Sequence, residues 1–135
     1  MTINTISSHH DSNSQIKKLR KDMSSWKSML YLRMEENLLM KNMLADILKN
    51  NFDNNCLEQI EEFQNNFINE EQVTNALRKE ISELQKLSSI LPGDPIQEDQ
   101  FDKKVSKFSH DLKKSDLHFQ ALVSSFLKFR HQRSA

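Results

Sequence analysis

The chain has 135 residues, and its 19 lysines and arginines are balanced by 19 aspartates and glutamates, so no global field draws it to nucleic acid or an anionic membrane. Gly93 is its only glycine, and Pro92 and Pro95 its only prolines. That scarcity excludes phosphate-cradling loops and dinucleotide fingerprints and favours long helices.

The opening stretch, MTINTISSHHDSNS, lacks the apolar core of a secretory signal. Residues 1–11, with His9 and His10, are predicted to form a disordered tail. A first helix is predicted from near Asn13, where Ser12 can cap and Gln15 can return the hydrogen bond. Ile16, Leu19, Met23, Trp26, Leu30, Met40, Leu44 and Ile47 then recur at spacings of three and four, or at sums of them, as one apolar stripe. The helix ends in KNNFDNN, whose asparagines compete with the backbone for hydrogen bonds.

Asn55, with Glu58 three residues on, is the expected start of a second helix. Its stripe is Ile60, Phe63, Phe67, Leu77, Ile81, Leu84 and Leu91, and Pro92 ends it by disfavouring a helical Leu91. Asp94 as N-cap, Pro95 at the first helical position and Gln97 three after the cap open a third helix. Phe101, Val105, Phe108, Leu112, Phe119, Leu122, Phe126 and Phe129 carry its stripe. Each helix is expected to run roughly 36 residues, or about 54 Å. Similar helices with short loops predict an all-α fold, an antiparallel three-helix bundle over residues 12–135 as one domain. In that arrangement the basic KKLRK at 17–21 falls near Glu98, Asp99 and Asp102, and the acidic start of helix 2 near Lys128, Arg130 and Arg133. No apolar run approaches the ~20 residues that span a bilayer, and the lone Cys56 allows no intramolecular disulfide or multi-cysteine zinc site, which suits a cytoplasmic setting.

Each stripe is interrupted once by polar residues. After Leu30 the next positions are Arg33 and Asn37, whereas Glu35, Glu36 and Lys41 fall outside the stripe and face water. Helix 2 carries Glu70 and Thr74 in its gap, and helix 3 carries Ser115. Folding helix 2 back on helix 1 pairs positions whose numbers sum to roughly 105, and folding helix 3 back on helix 2 gives roughly 186. The three gaps then meet at one height, with His118 on the flank. The expected arrangement is an Arg33–Glu70 ion pair supported by Asn37, Thr74 and Ser115, which fixes the register of otherwise interchangeable apolar stripes. The alternative is a metal site of Glu36, Glu70 and His118, since carboxylates and histidines projecting inward hold ions in ferritin-like bundles. The chain lacks their Glu-x-x-His pairs, and Arg33 would repel a cation.

Other residues offer less. Asp111 and His118 share a helix face but have no activated nucleophile beside them, so no catalytic residue is assigned. Cys56, at the start of helix 2, is read as incidental or packed. The basic ending KFRHQRSA is read as complementing a helix C-terminus, with no nucleic-acid motif beside it.

The segments EENLLMKNMLADIL, EQIEEFQNNFI and LHFQALVSSFLKF resemble a loose set of small bacterial three-helix coiled-coil proteins of unassigned activity, over about residues 26–130. This likeness implies a fold and no reaction. A more distant likeness to hemerythrin-like and ferritin-like bundles lacks their histidine and carboxylate patterns. The function expected is therefore non-enzymatic: protein contact or homo-oligomerisation, with no cofactor, nucleic acid, membrane or small-molecule substrate. Leu32, Leu39 and Met43 lie off the main stripe of helix 1 and form a second apolar strip, with Met29 and Met34 as adaptable packing. That strip is either a contact face or a broader part of the core.

Overall fold

The computed structural model describes residues 2–50 and 54–134, with side chains for 14–50 and 55–133. The chain is an all-α three-helix bundle: α1 (Thr2–Asn50), a short 3-10 turn (Asn54–Cys56), α2 (Leu57–Ser88) and α3 (Pro95–Ser134). The helices have 49, 32 and 40 residues, less uniform than the periodicity predicts. α1 takes in residues 2–11, expected to be a disordered tail, because no glycine or proline interrupts that stretch; Ser12 and Gln15 lie inside the helix and not at its cap. The loop expected near Asp53 lies outside the described residues.

α2 starts slightly later than expected. Its N-cap is Cys56, which makes no side-chain capping bond, and Asn55 sits within the 3-10 turn. Tightened i→i+3 geometry leads into the helix. At its other end the last amides fold back the same way, Ser89 N to Lys86 O at 3.2 Å and Leu91 N to Ser88 O at 3.2 Å. Arg20 of α1 then donates to the carbonyls of Ser88 at 2.7 Å and Leu91 at 3.3 Å, so a cation covers the negative end of the helix.

The start of α3 follows its sequence signal. Asp94 Oδ1 accepts from Gln97 N at 2.8 Å, and Asp94 O accepts from Glu98 N at 3.1 Å. Gly93 has no positive φ, so its role here is not backbone freedom; a Cβ would meet the side-chain oxygen of Gln97, the end of a flexible chain.

Cross-helix partners establish direction. Along α1, Lys27 meets Gln85, Met34 meets Arg78 and Asn37 meets Phe67, so α2 descends as α1 rises. Trp26 against Phe108 and Arg33 against Ser115 rise together, which makes α3 parallel to α1. α1 packs most closely on α2, and α3 lies on α2 and farther from α1.

Two apolar clusters fill the interior. One joins Met23, Leu30, Leu77, Ile81, Phe101 and Phe108, with Trp26 against it. The other is aromatic, with Phe67 and Phe126 edge-to-face at 5.1 Å and Phe63 packed on Phe126 and Phe129. Between them lies the polar layer. Among the described residues no helix is long and apolar enough to cross a membrane.

Candidate functional site

The middle of α1 carries the arrangement most in need of a functional account. Helical periodicity turns Arg33 and Asn37 inward, and Arg33 is only 4% exposed, yet its neighbour Leu32 is 56% exposed. At one height the helix is polar inside and apolar outside.

Inside, the structure gathers all five residues assigned to the layer. Arg33, Asn37, Glu70 and Thr74 are buried and Ser115 is half-buried. The partners differ from the expected pairing, because Arg33 and Glu70 do not form an ion pair. Arg33 Nη1 donates to Ser115 Oγ at 2.6 Å, Nη2 approaches Asp116 Oδ1 at 3.4 Å, and the guanidinium lies 5.9 Å from the centre of the Phe119 ring. Glu70 Oε1 instead accepts from His118 Nδ1. Both long side chains of the layer therefore turn towards α3, one reaching it from α1 and one from α2.

Asn37 Nδ2 donates to the Phe67 carbonyl at 2.9 Å, an oxygen already inside α2, so this bond ties α1 to the backbone of its neighbour. Among the described residues three buried polar atoms of the layer have no hydrogen-bond partner: Asn37 Oδ1, Glu70 Oε2 and Thr74 Oγ1. Asn37 and Thr74 also line a groove of about 350 Å³ between α1 and α2, whose outer wall is Tyr31, Leu38 and the Lys41–Glu71 ion pair at 2.7 Å.

The metal alternative is not assembled. Glu36 is exposed on α1 and has no part in the Glu70–His118 pair, and among the described residues no group of three or more histidine, cysteine or acidic side chains is placed to hold an ion. His118 faces Glu70 and not Asp111, which removes the base-and-orienter geometry considered for that helix face. Cys56 is half-buried and accepts from Arg133 Nη1. That contact brings the end of α3 to the start of α2, as the antiparallel arrangement predicts. At the opposite end Glu98 and Asp102 line one groove with Ile16 and Leu19, the height expected for residues 17–21, while Arg20 donates to the Ser88 and Leu91 carbonyls and Asp99 pairs within its own helix with Lys103 at 3.1 Å.

Outside, the second apolar strip divides. Met43 is half-buried against the aromatic cluster, as a broader core would have it, and Met34 is half-buried beside Arg78. Leu32, Leu39 and Met29 remain exposed. Tyr31 and Leu38, which the stripe pattern does not single out, are exposed beside them at 51% and 57%. Their signal is present in the sequence: each lies one position before a leucine of the strip, at the same spacing of seven.

No protein-family model, no curated protein and no solved structure matches this chain.

Proposed function

We propose that this is a non-enzymatic helical bundle that acts by protein contact through the outward face of α1. The supporting observation is the cluster Tyr31, Leu32, Leu38 and Leu39, four large apolar side chains left in water as two pairs one heptad apart. Scattered exposed leucines need no explanation, but four on one face are the pattern of an uncovered contact surface. The buried Arg33 and Asn37 contacts hold that helix against rotation, so the apolar face stays outward. Coiled-coil packing on a partner helix fits this face, in keeping with the resemblance to small bacterial three-helix coiled-coil proteins, and the lone half-buried cysteine favours a cytoplasmic setting.

Leu32→Asp with Leu39→Asp tests this. The double variant should keep its helicity and melting temperature and lose self-association by light scattering or retention of a partner in pull-downs. A wild-type chain that is strictly monomeric at micromolar concentration and retains nothing overturns the reading.

A further inference from the structure

The groove between α1 and α2 adjoins the contact face but has chemistry of its own, and from it we infer a binding site for a small, uncharged aromatic molecule that donates a hydrogen bond, of the indole or phenol class. The groove measures about 350 Å³, within the range typical of small-molecule sites, and a closed apolar cavity less than half that size already holds benzene. Its walls are mostly apolar, and Tyr31, Leu38 and the thioether of Met34 offer surfaces on which a flat ring packs.

The buried polar residues of the lining are Asn37 and Thr74, while Glu35, Glu71 and Asn75 are exposed and Lys41 is half-buried. Asn37 and Thr74 are 3% and 1% exposed, both line the groove, and each keeps a polar atom with no protein partner. The identity of the atoms decides what they accept. Asn37 Nδ2 donates one of its two N–H groups to the Phe67 carbonyl, and the atom without a partner is Oδ1, which can only accept. The Thr74 hydroxyl can accept as well. A ligand that satisfies them must therefore bring an N–H or O–H to the end of an otherwise apolar body.

Charge narrows the class further. Lys41, the one cation lining the groove, is engaged by Glu71, while the carboxylate of Glu35 also lines it. An anionic ligand would meet the Glu35 carboxylate, and a cationic one would have to leave water for an inner end whose partners are the neutral Asn37 and Thr74 oxygens. A neutral donor avoids both costs. Tyr31 and Leu38 belong both to this groove and to the proposed contact face, whereas Leu32 and Leu39 belong only to the latter, so substitution at Leu32 and Leu39 separates the two readings.

Titration of indole into the isotopically labelled full chain, followed by NMR, tests the assignment. Saturable shifts are expected at the amides of Asn37, Leu38, Thr74 and Asn75. The analogue 1-methylindole has nearly the same shape but no N–H, and it should bind about tenfold or more weakly, as expected where buried acceptors are left unpaired. Thr74→Val should weaken indole about fivefold and leave 1-methylindole within twofold. Leu32→Asp with Leu39→Asp should leave indole binding unchanged even where it abolishes protein contact. Equal binding of the two indoles, shifts centred on Leu32 and Leu39, or no saturation at low millimolar concentration each overturn the site, while the contact face is judged separately by the association of the wild type and of the Leu32→Asp, Leu39→Asp variant.

Discussion

The middle of α1 and the middle of α3 stand at the same height and solve opposite problems. α3 is conventional there: Leu112 and Phe119 are buried, Ser115 lies between them, and Lys113 and Lys114 face water. α1 is inverted, with an arginine and an asparagine inside and four large apolar residues outside. A stretch of this kind forgoes burial on one side and desolvates polar groups on the other. The contrast shows that the core alone does not account for this segment, and it sets the proposed register role of the inner face apart from the proposed contact role of the outer one.

Removing Arg33 should break the comparison most severely. Arg33→Ala deletes a buried cation, leaves Ser115 Oγ without its donor and opens a void beside Phe119, and it should cost about 3 kcal/mol in urea-melt stability. Ser115→Ala, the other end of the same bond, removes the smaller partner, leaves the buried cation with Asp116 and should cost about 1 kcal/mol. If Arg33→Leu left both stability and helix alignment unchanged, the register role would fail.

The next effect belongs to α2 and α3. Glu70 is 3% exposed, and among the described residues its carboxylate is held by His118 alone, with Oε2 unpartnered. His118→Ala should therefore destabilise the fold by about 1 to 2 kcal/mol, the lower part applying because the imidazole itself is largely in water. The same substitution in the Glu70→Leu background should be close to neutral, since no buried charge is then stranded.

Height was legible in the sequence and rotation was not. Gaps in three apolar stripes placed Arg33, Asn37, Glu70, Thr74 and Ser115 in one layer because helical rise per residue is constant, and they are there. Which atoms bond depends on the angle of each helix about its axis, which residue counting does not determine. Asp116, one position past Ser115, faces α1 and takes the guanidinium; Glu70 faces α3 and takes His118. The cap at Asp94 was legible because its chemistry is local, whereas the opening of α2 was displaced by a 3-10 turn that no single residue signals. Tyr31 and Leu38 escape a search for one buried stripe because they belong to a second stripe on the far side.

A smaller effect, of opposite sign, tests whether the layer is optimised for stability. Thr74 is 1% exposed and among the described residues its hydroxyl has no partner, so Thr74→Val replaces a desolvated polar group by a methyl of similar shape. The variant should gain about 1 kcal/mol. A gain in stability with a loss of indole binding is the expected trade-off for a hydroxyl retained to meet a ligand. A loss of stability of similar size would mean that an ordered water in the adjoining groove satisfies the hydroxyl, and solvent exchange at that site would then be measurable by NMR.

The smallest expected change in folding stability separates the two outer faces. Leu38 and Leu117 are both exposed, one amid apolar neighbours on α1 and one close to lysines on α3. Leu38→Ser and Leu117→Ser should each alter monomer stability by no more than about 0.5 kcal/mol, because neither side chain is packed against the core. Their effects on contact should diverge. Leu38→Ser removes one of four clustered apolar side chains and should weaken self-association or partner retention, whereas Leu117→Ser, close to Lys113 and Lys114, should leave both unchanged. Equal effects on sedimentation would mean that exposure alone governs contact, and the inversion in α1 would then lack the role assigned to it.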